Sequence, residues 1–139
     1  MNLGHVYHPL PSAAEGEALV NRALELGVDH LDTAALYGFG SNEELLGRVL
    51  GPRRAEVTLA SKCGMFGVDG RRVIDGSPAA IRSVCEGALT RLRTDVIDLY
   101  YLHRLDPAVP VEESVGAMAE LVAEGKIRAI GLSEISAAT

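Results

Sequence analysis

The chain has 139 residues, 47% of them hydrophobic, which is enough apolar material for one core, and a formal net charge of −6. That acidic balance, with a pI near 5.2, argues against nucleic acid or an anionic membrane as the principal partner, because both require a basic face, and it leaves a small-molecule ligand. Two cysteines, Cys63 and Cys85, are too few for a secreted disulfide framework, and neither a leader-like segment nor an apolar run of membrane-spanning length is seen, so a cytoplasmic protein is expected.

Residues 1–11 are irregular, with His5, His8, Pro9 and Pro11 scattered through them, and resemble at most the tail of a strand. Ser12 and Glu15 form a capping box, after which Leu19, Ala23 and Leu26 recur at helical spacing up to Gly27. The short apolar run 28–34 reads as a buried strand that delivers Asp32 near its end, with Tyr37 in the following loop. Ser41 and Glu44 repeat the capping-box pattern, and Leu45, Leu46, Val49 and Leu50 make the stripe of a second helix ended by Gly51-Pro52.

Residues 56–62 predict a second strand, apolar except for Lys62 at its end, followed by a long glycine-rich loop over 64–76 in which Met65 and Phe66 are candidate pocket walls. Ser77-Pro78 opens a third helix, with Ile81, Val84, Cys85, Ala88, Leu89 and Leu92 on its apolar face. Residues 95–103 predict a third strand closed by His103. Residues 111–124 predict a fourth helix with Val115, Met118, Leu121 and Val122 on one face and Gly125 as its stop. A last strand begins at Arg128 and runs to Ser133-Glu134.

Strands separated one from the next by single helices, with no antiparallel hairpin in the core, leave two architectures: a parallel barrel or an open doubly wound sheet. The open sheet usually carries a glycine-rich phosphate turn of the form G-x-G-x-x-G after its first strand, and none occurs here, so the barrel is favoured. In a barrel the strand ends Asp32, Lys62, His103 and Ser133-Glu134 converge on one mouth. A lysine buried there is compensated by an aspartate from the neighbouring strand, and Tyr37 can reach the same spot. An ordinary ion pair under a loop is the plainer alternative, which the convergence of four strand ends disfavours. No metal site is expected, because His5, His8 and His30 lack ligand spacing and Lys62 would repel a cation. Strand alternation predicts His30, Asp32, Thr58, Ala60, Lys62, Tyr101 and His103 on the interior, with Leu31, Leu59 and Leu102 facing helices.

The set Asp32-Thr-Ala with Tyr37, Asn42-Glu-Glu-Leu-Leu-Gly47, Ser61-Lys62 and Asp98-Leu-Tyr-Tyr-Leu-His103 resembles the aldo-keto reductase family, in order and through nearly the whole chain. The resemblance implies an α/β fold, here a partial (β/α)8 TIM barrel of four to five parallel strands with four helices. It implies NADP(H) as cofactor, a small-molecule carbonyl substrate, and a catalytic tetrad of Asp32, Tyr37, Lys62 and His103. In that tetrad Tyr37 is the acid, Lys62 and Asp32 support it, and His103 orients the carbonyl. Ser133 resembles the Ser-Asn pair that holds the nicotinamide carboxamide, with Glu134 standing where many members have Asn, and Asp32 belongs to the same cofactor-facing rim.

A barrel of this kind typically needs about 250 residues. The expectation is therefore a single incomplete barrel domain over residues 1–139, with the segments that bind the cofactor's phosphates in the family not encoded here. Two functions stay open at this level. One is an NADP(H)-dependent oxidoreductase reducing aldehydes or ketones to alcohols, impaired by truncation. The other is a non-catalytic interaction or regulatory protein that retains the aldo-keto reductase fold. Self-association through exposed barrel edges is expected in either case.

Overall fold

A computed structural model describes Leu3 and residues 10–136. His5 and His8 lie outside the described residues.

The first helix, α1 (Ala13–Glu25), starts as the sequence predicts. Ser12 Oγ accepts from the Glu15 amide at 3.3 Å, and a Glu15 carboxylate oxygen accepts from the Ser12 amide at 2.8 Å, so two otherwise unpaired donors are satisfied reciprocally. Its buried face is not the predicted one. Gly16, Val20 and Leu24 turn inward, whereas Leu19 and Leu26 are 51% and 67% exposed. Gly16 decides this, because a Cβ there would sit 3.0 Å from the Leu45 side chain, so the helix approaches its neighbour on its smallest residue.

Strand β1 is only His30–Asp32, shorter than the apolar run 28–34, and Val28 is exposed. Beyond Asp32 the chain leaves the sheet: the Thr33 amide still donates to Ala60, and Tyr37–Gly40 then form a 3-10 turn. This turn leads directly into α2 (Ser41–Leu50), whose cap is Gly40 in a left-handed conformation with φ +98°. The second capping box is therefore absent. Ser41 is already helical, no side chain caps the helix, and Glu43 behind it bonds Ser61 and Arg91. Leu45, Leu46 and Leu50 are buried as predicted, and a further 3-10 turn spans Gly51–Glu56.

Strand β2 is Thr58–Cys63. The segment read as a loop is a hairpin instead, with β3 (Met65–Val68) and β4 (Arg71–Ile74) pairing antiparallel outside the main sheet. Its two-residue turn, Asp69-Gly70, has φ of +49° and +72°, which is the geometry that matches hairpin twist and selects Asp-Gly. Helix α3 (Pro78–Leu92) follows its Ser77 cap as predicted. Strand β5 (Ile97–Leu102), helix α4 (Val111–Ala123) and strand β6 (Ile127–Leu132) complete the described elements. On α4 the buried face is Ser114, Ala117, Met118 and Leu121, one position round from the predicted stripe, and Val122 is exposed.

The main sheet is β1-β2-β5-β6 with every pair parallel. Helices α1 to α4 pack side by side in chain order, as right-handed crossovers require. Leu31, Leu59, Tyr100 and Leu102 join the core beneath the helices, together with Val20, Leu46, Ile81, Leu92 and Met118. The opposite face carries Asp32 and Lys62, and on it His30 and Thr58 are exposed. The predicted alternation holds on β2, since Ser61 bonds a helix residue while Lys62 bonds Asp32 and Tyr37 on the other side. No helix among the described residues is long and apolar enough to cross a membrane.

Candidate active site

The C-terminal ends of β1, β2 and β5 bring four predicted residues to one rim. Asp32 is the last residue of β1, Lys62 the penultimate residue of β2, and His103 follows β5, where its amide donates to the Cys63 carbonyl at 2.9 Å. Tyr37 is delivered from above by the 3-10 turn. The register Lys62↔Tyr101 and Asp32↔Ala60 sets these ends level with one another.

Lys62 organises the rim. Its Nζ lies 2.5 Å from Asp32 Oδ1, 2.8 Å from the Thr33 carbonyl and 3.3 Å from Tyr37 Oη. An ammonium has three N–H donors and no acceptor, so these three oxygens match its full capacity. The side chain is 9% exposed, and an ammonium so placed requires this degree of compensation. The partner Asp32 is 37% exposed, so the pair stands at a mouth rather than in the core. The ammonium also lies 4.8 Å from the centroid of the Tyr37 ring, close enough for a cation–π contact.

His103 meets Tyr37 edge to face, with centroids 5.8 Å apart and planes at 85°. Burial, followed by the positive charges of Lys62 and Arg104, pulls its pKa down from 6.5 to about 4, against a weaker opposing effect of Asp32. The imidazole is neutral at physiological pH. Its Nδ1 is buried with no hydrogen-bond partner among the described residues.

At the end of β6 the Ser133 amide donates to the Leu102 carbonyl at 3.1 Å, which sets Ser133 beside the exit of β5. Glu134 adopts φ +53°, and its carboxylate accepts from Arg104 at 2.9 Å. Arg104 also donates to the His103 carbonyl at 2.8 Å, so the loops after β5 and β6 are tied together beside the histidine.

Several residues beneath the rim carry roles that sequence reasoning missed. Glu43, in the first turn of α2, is fully buried. It accepts from Ser61 Oγ at 2.6 Å and from Arg91 Nε at 2.7 Å, joining α2 to β2 and α3. Asn42 donates to Thr33 Oγ1 at 2.7 Å. The signal available was position alone: a polar pair in the first turn of a helix that has no side-chain cap. Cys63 and Cys85 are buried, and burial raises their thiols to about 12 and about 11, which makes both unreactive. Among the described residues no group of three His, Cys, Asp or Glu could hold a metal ion. A cavity of about 260 Å³ between α1 and α2, lined by Leu3, Pro11, Gly16, Asn42 and Leu45, contains none of the four rim residues.

Comparison with known proteins bears on the family and the fold. A family model for the aldo/keto reductase family matches residues 1–139. A probable aldo-keto reductase from Glycine max is 41% identical over 141 residues, covering 98% of this chain and 40% of the relative, so the chain spans less than half of that protein's length. Among solved structures, the holo form of aldo-keto reductase AKR11C1 from Bacillus halodurans superposes with a TM-score of 0.84 at 39% identity, over 88% of this chain and 42% of that one. An aldo/keto reductase from Klebsiella pneumoniae, in complex with NADP and acetate, superposes with a TM-score of 0.80 at 34% identity, over 99% of this chain and 46% of that one. The parallel sheet and these likenesses agree: the chain belongs to the aldo/keto reductase family and forms part of its barrel.

Proposed function

We propose that this chain carries the catalytic rim of an NADP(H)-dependent oxidoreductase that reduces aldehyde or ketone carbonyls to alcohols, with Tyr37 as the proton donor. The observation that carries this reading is the seat of Lys62, whose three donors are taken by Asp32, the Thr33 carbonyl and Tyr37 Oη. A purely structural ion pair has no need of a phenol as third acceptor.

The rim suits a nicotinamide lying beside a carbonyl. Asp32 is neutralised by Lys62 and His103 is neutral, so neither an isolated cation nor an isolated anion faces the ligand. Ser133 and Glu134 stand at the next strand end to meet the carboxamide, which asks for one acceptor and one donor; the Glu134 carboxylate, already held by Arg104, has lone pairs to spare. When bound, the reduced cofactor supplies the hydride.

The remaining chemistry belongs to the chain. As charge builds on the carbonyl oxygen, Tyr37 Oη gives up its proton to it. Lys62 donates to that same Oη, so the phenolic proton points away from the ammonium, and the ammonium stabilises the phenolate that remains. With a pKa of about 4, His103 carries an extra proton in only about one molecule in a thousand at pH 7, so it orients the carbonyl by hydrogen bonding and leaves proton donation to Tyr37. Because Nδ1 is buried, Nε2 is the ring nitrogen left for the substrate.

Titration with NADPH, followed by nicotinamide fluorescence and then by aldehyde-dependent oxidation of the bound cofactor, tests the proposal. Saturable quenching with aldehyde-dependent oxidation is the expected outcome. The absence of both would favour the interaction-protein alternative.

A further inference from the structure

We propose that Asn42 is a positioning residue for the Lys62 ammonium, acting through Thr33. The inference rests on the reading of Lys62 as the partner of the reaction acid, and it concerns a residue that touches neither substrate nor cofactor.

Thr33 is the first residue beyond β1. Its amide is fixed by the Ala60 carbonyl at 2.9 Å, but its own carbonyl has left the strand ladder and accepts from Lys62 Nζ at 2.8 Å. The direction of that carbonyl determines where the ammonium sits between Asp32 and Tyr37. What fixes Thr33 on its other side is its hydroxyl, which accepts from Asn42 Nδ2 at 2.7 Å with both residues buried. A β-branched side chain has few χ1 choices, so holding Oγ1 also holds the backbone that carries the carbonyl. Asn42 is itself anchored, since its Oδ1 accepts from the Leu3 amide at 3.0 Å. It stands in the first turn of α2, immediately after the turn that presents Tyr37. The 3-10 turn therefore places the phenol, and the helix turn that follows it places the ammonium through Thr33.

The 3.3 Å contact from Lys62 to Tyr37 Oη is the longest of the three, and hence the first to be lost when the ammonium shifts. Without the hold on Thr33 the ammonium retains Asp32 and drifts from Tyr37. The result is a chain that still folds and still binds cofactor but transfers the proton poorly.

The sequence contains two lysines, Lys62 and Lys126, so the ammonium spectrum of protein made with 15N-lysine contains two signals. Lys126 pairs with Glu86 and Glu124 and serves as the internal reference. In the unaltered chain the Lys62 ammonium protons, on a side chain 9% exposed against 30% for Lys126, should exchange with water at least tenfold more slowly than those of Lys126. Asn42→Ala and the isosteric Thr33→Val should each accelerate exchange at Lys62 about tenfold without changing Lys126, whereas Thr33→Ser, which keeps the hydroxyl, should leave both rates unaltered. In NADPH-linked aldehyde reduction the first two variants should lower kcat about tenfold with cofactor Kd unchanged, and Thr33→Ser should restore kcat. An unchanged Lys62 exchange rate in folded Asn42→Ala or Thr33→Val would overturn the proposal. If Asn42→Ala fails to fold, Thr33→Val decides alone, because it nearly preserves volume and replaces the hydroxyl that accepts from Asn42 with a methyl. In a chain without reductase turnover, the exchange measurement decides the role of Asn42 on its own.

Discussion

His103 ties the chemistry of the rim to the stability of the fold through pH. In the unfolded chain a histidine takes up its proton near pH 6.5, but in the folded chain burial and the charges of Lys62 and Arg104 delay this to about pH 4, despite the opposing carboxylate of Asp32. Between those values the unfolded state binds more protons, so stability falls as pH drops through the window and is fully present above it. The full interval corresponds to about 3 kcal/mol, and by pH 4.5 about 2–3 kcal/mol of it is lost, a large part of a typical total of 5–15 kcal/mol. Urea denaturation at pH 7 and pH 4.5, on the unaltered chain and on His103→Gln, isolates this contribution from that of the carboxylates. Asp98, held low by the Leu59 amide and Arg54 against the effect of burial, titrates in both proteins and cancels. The unaltered chain should lose about 2–3 kcal/mol more than the variant over this interval. Equal losses would show that His103 is not held neutral by its surroundings and would remove the argument that excludes it as the proton donor.

Three further outcomes are expected. Lys62→Met should abolish aldehyde reduction but destabilise the fold by only about 1–3 kcal/mol in urea melts, because it leaves one buried carbonyl, that of Thr33, without its donor while Asp32 retains contact with water; a loss above 5 kcal/mol would mean that Asp32 is far less hydrated than its exposure indicates. Gly47→Ala should cost about 1–3 kcal/mol, since its Cβ would meet the Arg91 carbonyl at 2.2 Å and force α2 from α3, and a neutral effect would contradict this close approach. Self-association is expected at micromolar concentration by sedimentation velocity, because among the described residues β1 and β6 each have one strand neighbour and Leu26, Val28, Val122 and Leu132 are exposed; a concentration-independent monomer would contradict it.

The parts legible in the sequence were those with a local physical signature. Helix existence followed from caps and apolar spacing, and Ser12 with Glu15 or Ser77 with Pro78 located starts to the residue. The convergence of Asp32, Lys62 and His103 was legible because parallel strands joined by crossovers place their ends at one rim. Which way a helix turned was harder. On α1 and α4, Leu19 and Val122 looked like core, yet the close approach of Gly16 to Leu45 turns Leu19 outward, and α4 buries Ser114 and Ala117 beside Met118 and Leu121 and leaves Val122 exposed. The hairpin had its signal in Asp69-Gly70, outweighed by the density of glycines around it. The buried pair Asn42 and Glu43 had only its position in a first helical turn, because their partners Thr33, Ser61 and Arg91 are between nine and 48 residues away in the chain.

The central claim is that Tyr37 donates the proton at a rim assembled around Lys62. The most direct measurement compares the unaltered chain with Tyr37→Phe in NADPH-linked aldehyde reduction, with cofactor affinity measured on both by fluorescence titration. Loss of the acid should lower turnover by about 10²–10⁴-fold, the usual contribution of a positioned proton donor, while NADPH affinity changes less than about threefold because the ring and its packing remain. Retained turnover in Tyr37→Phe would contradict the account.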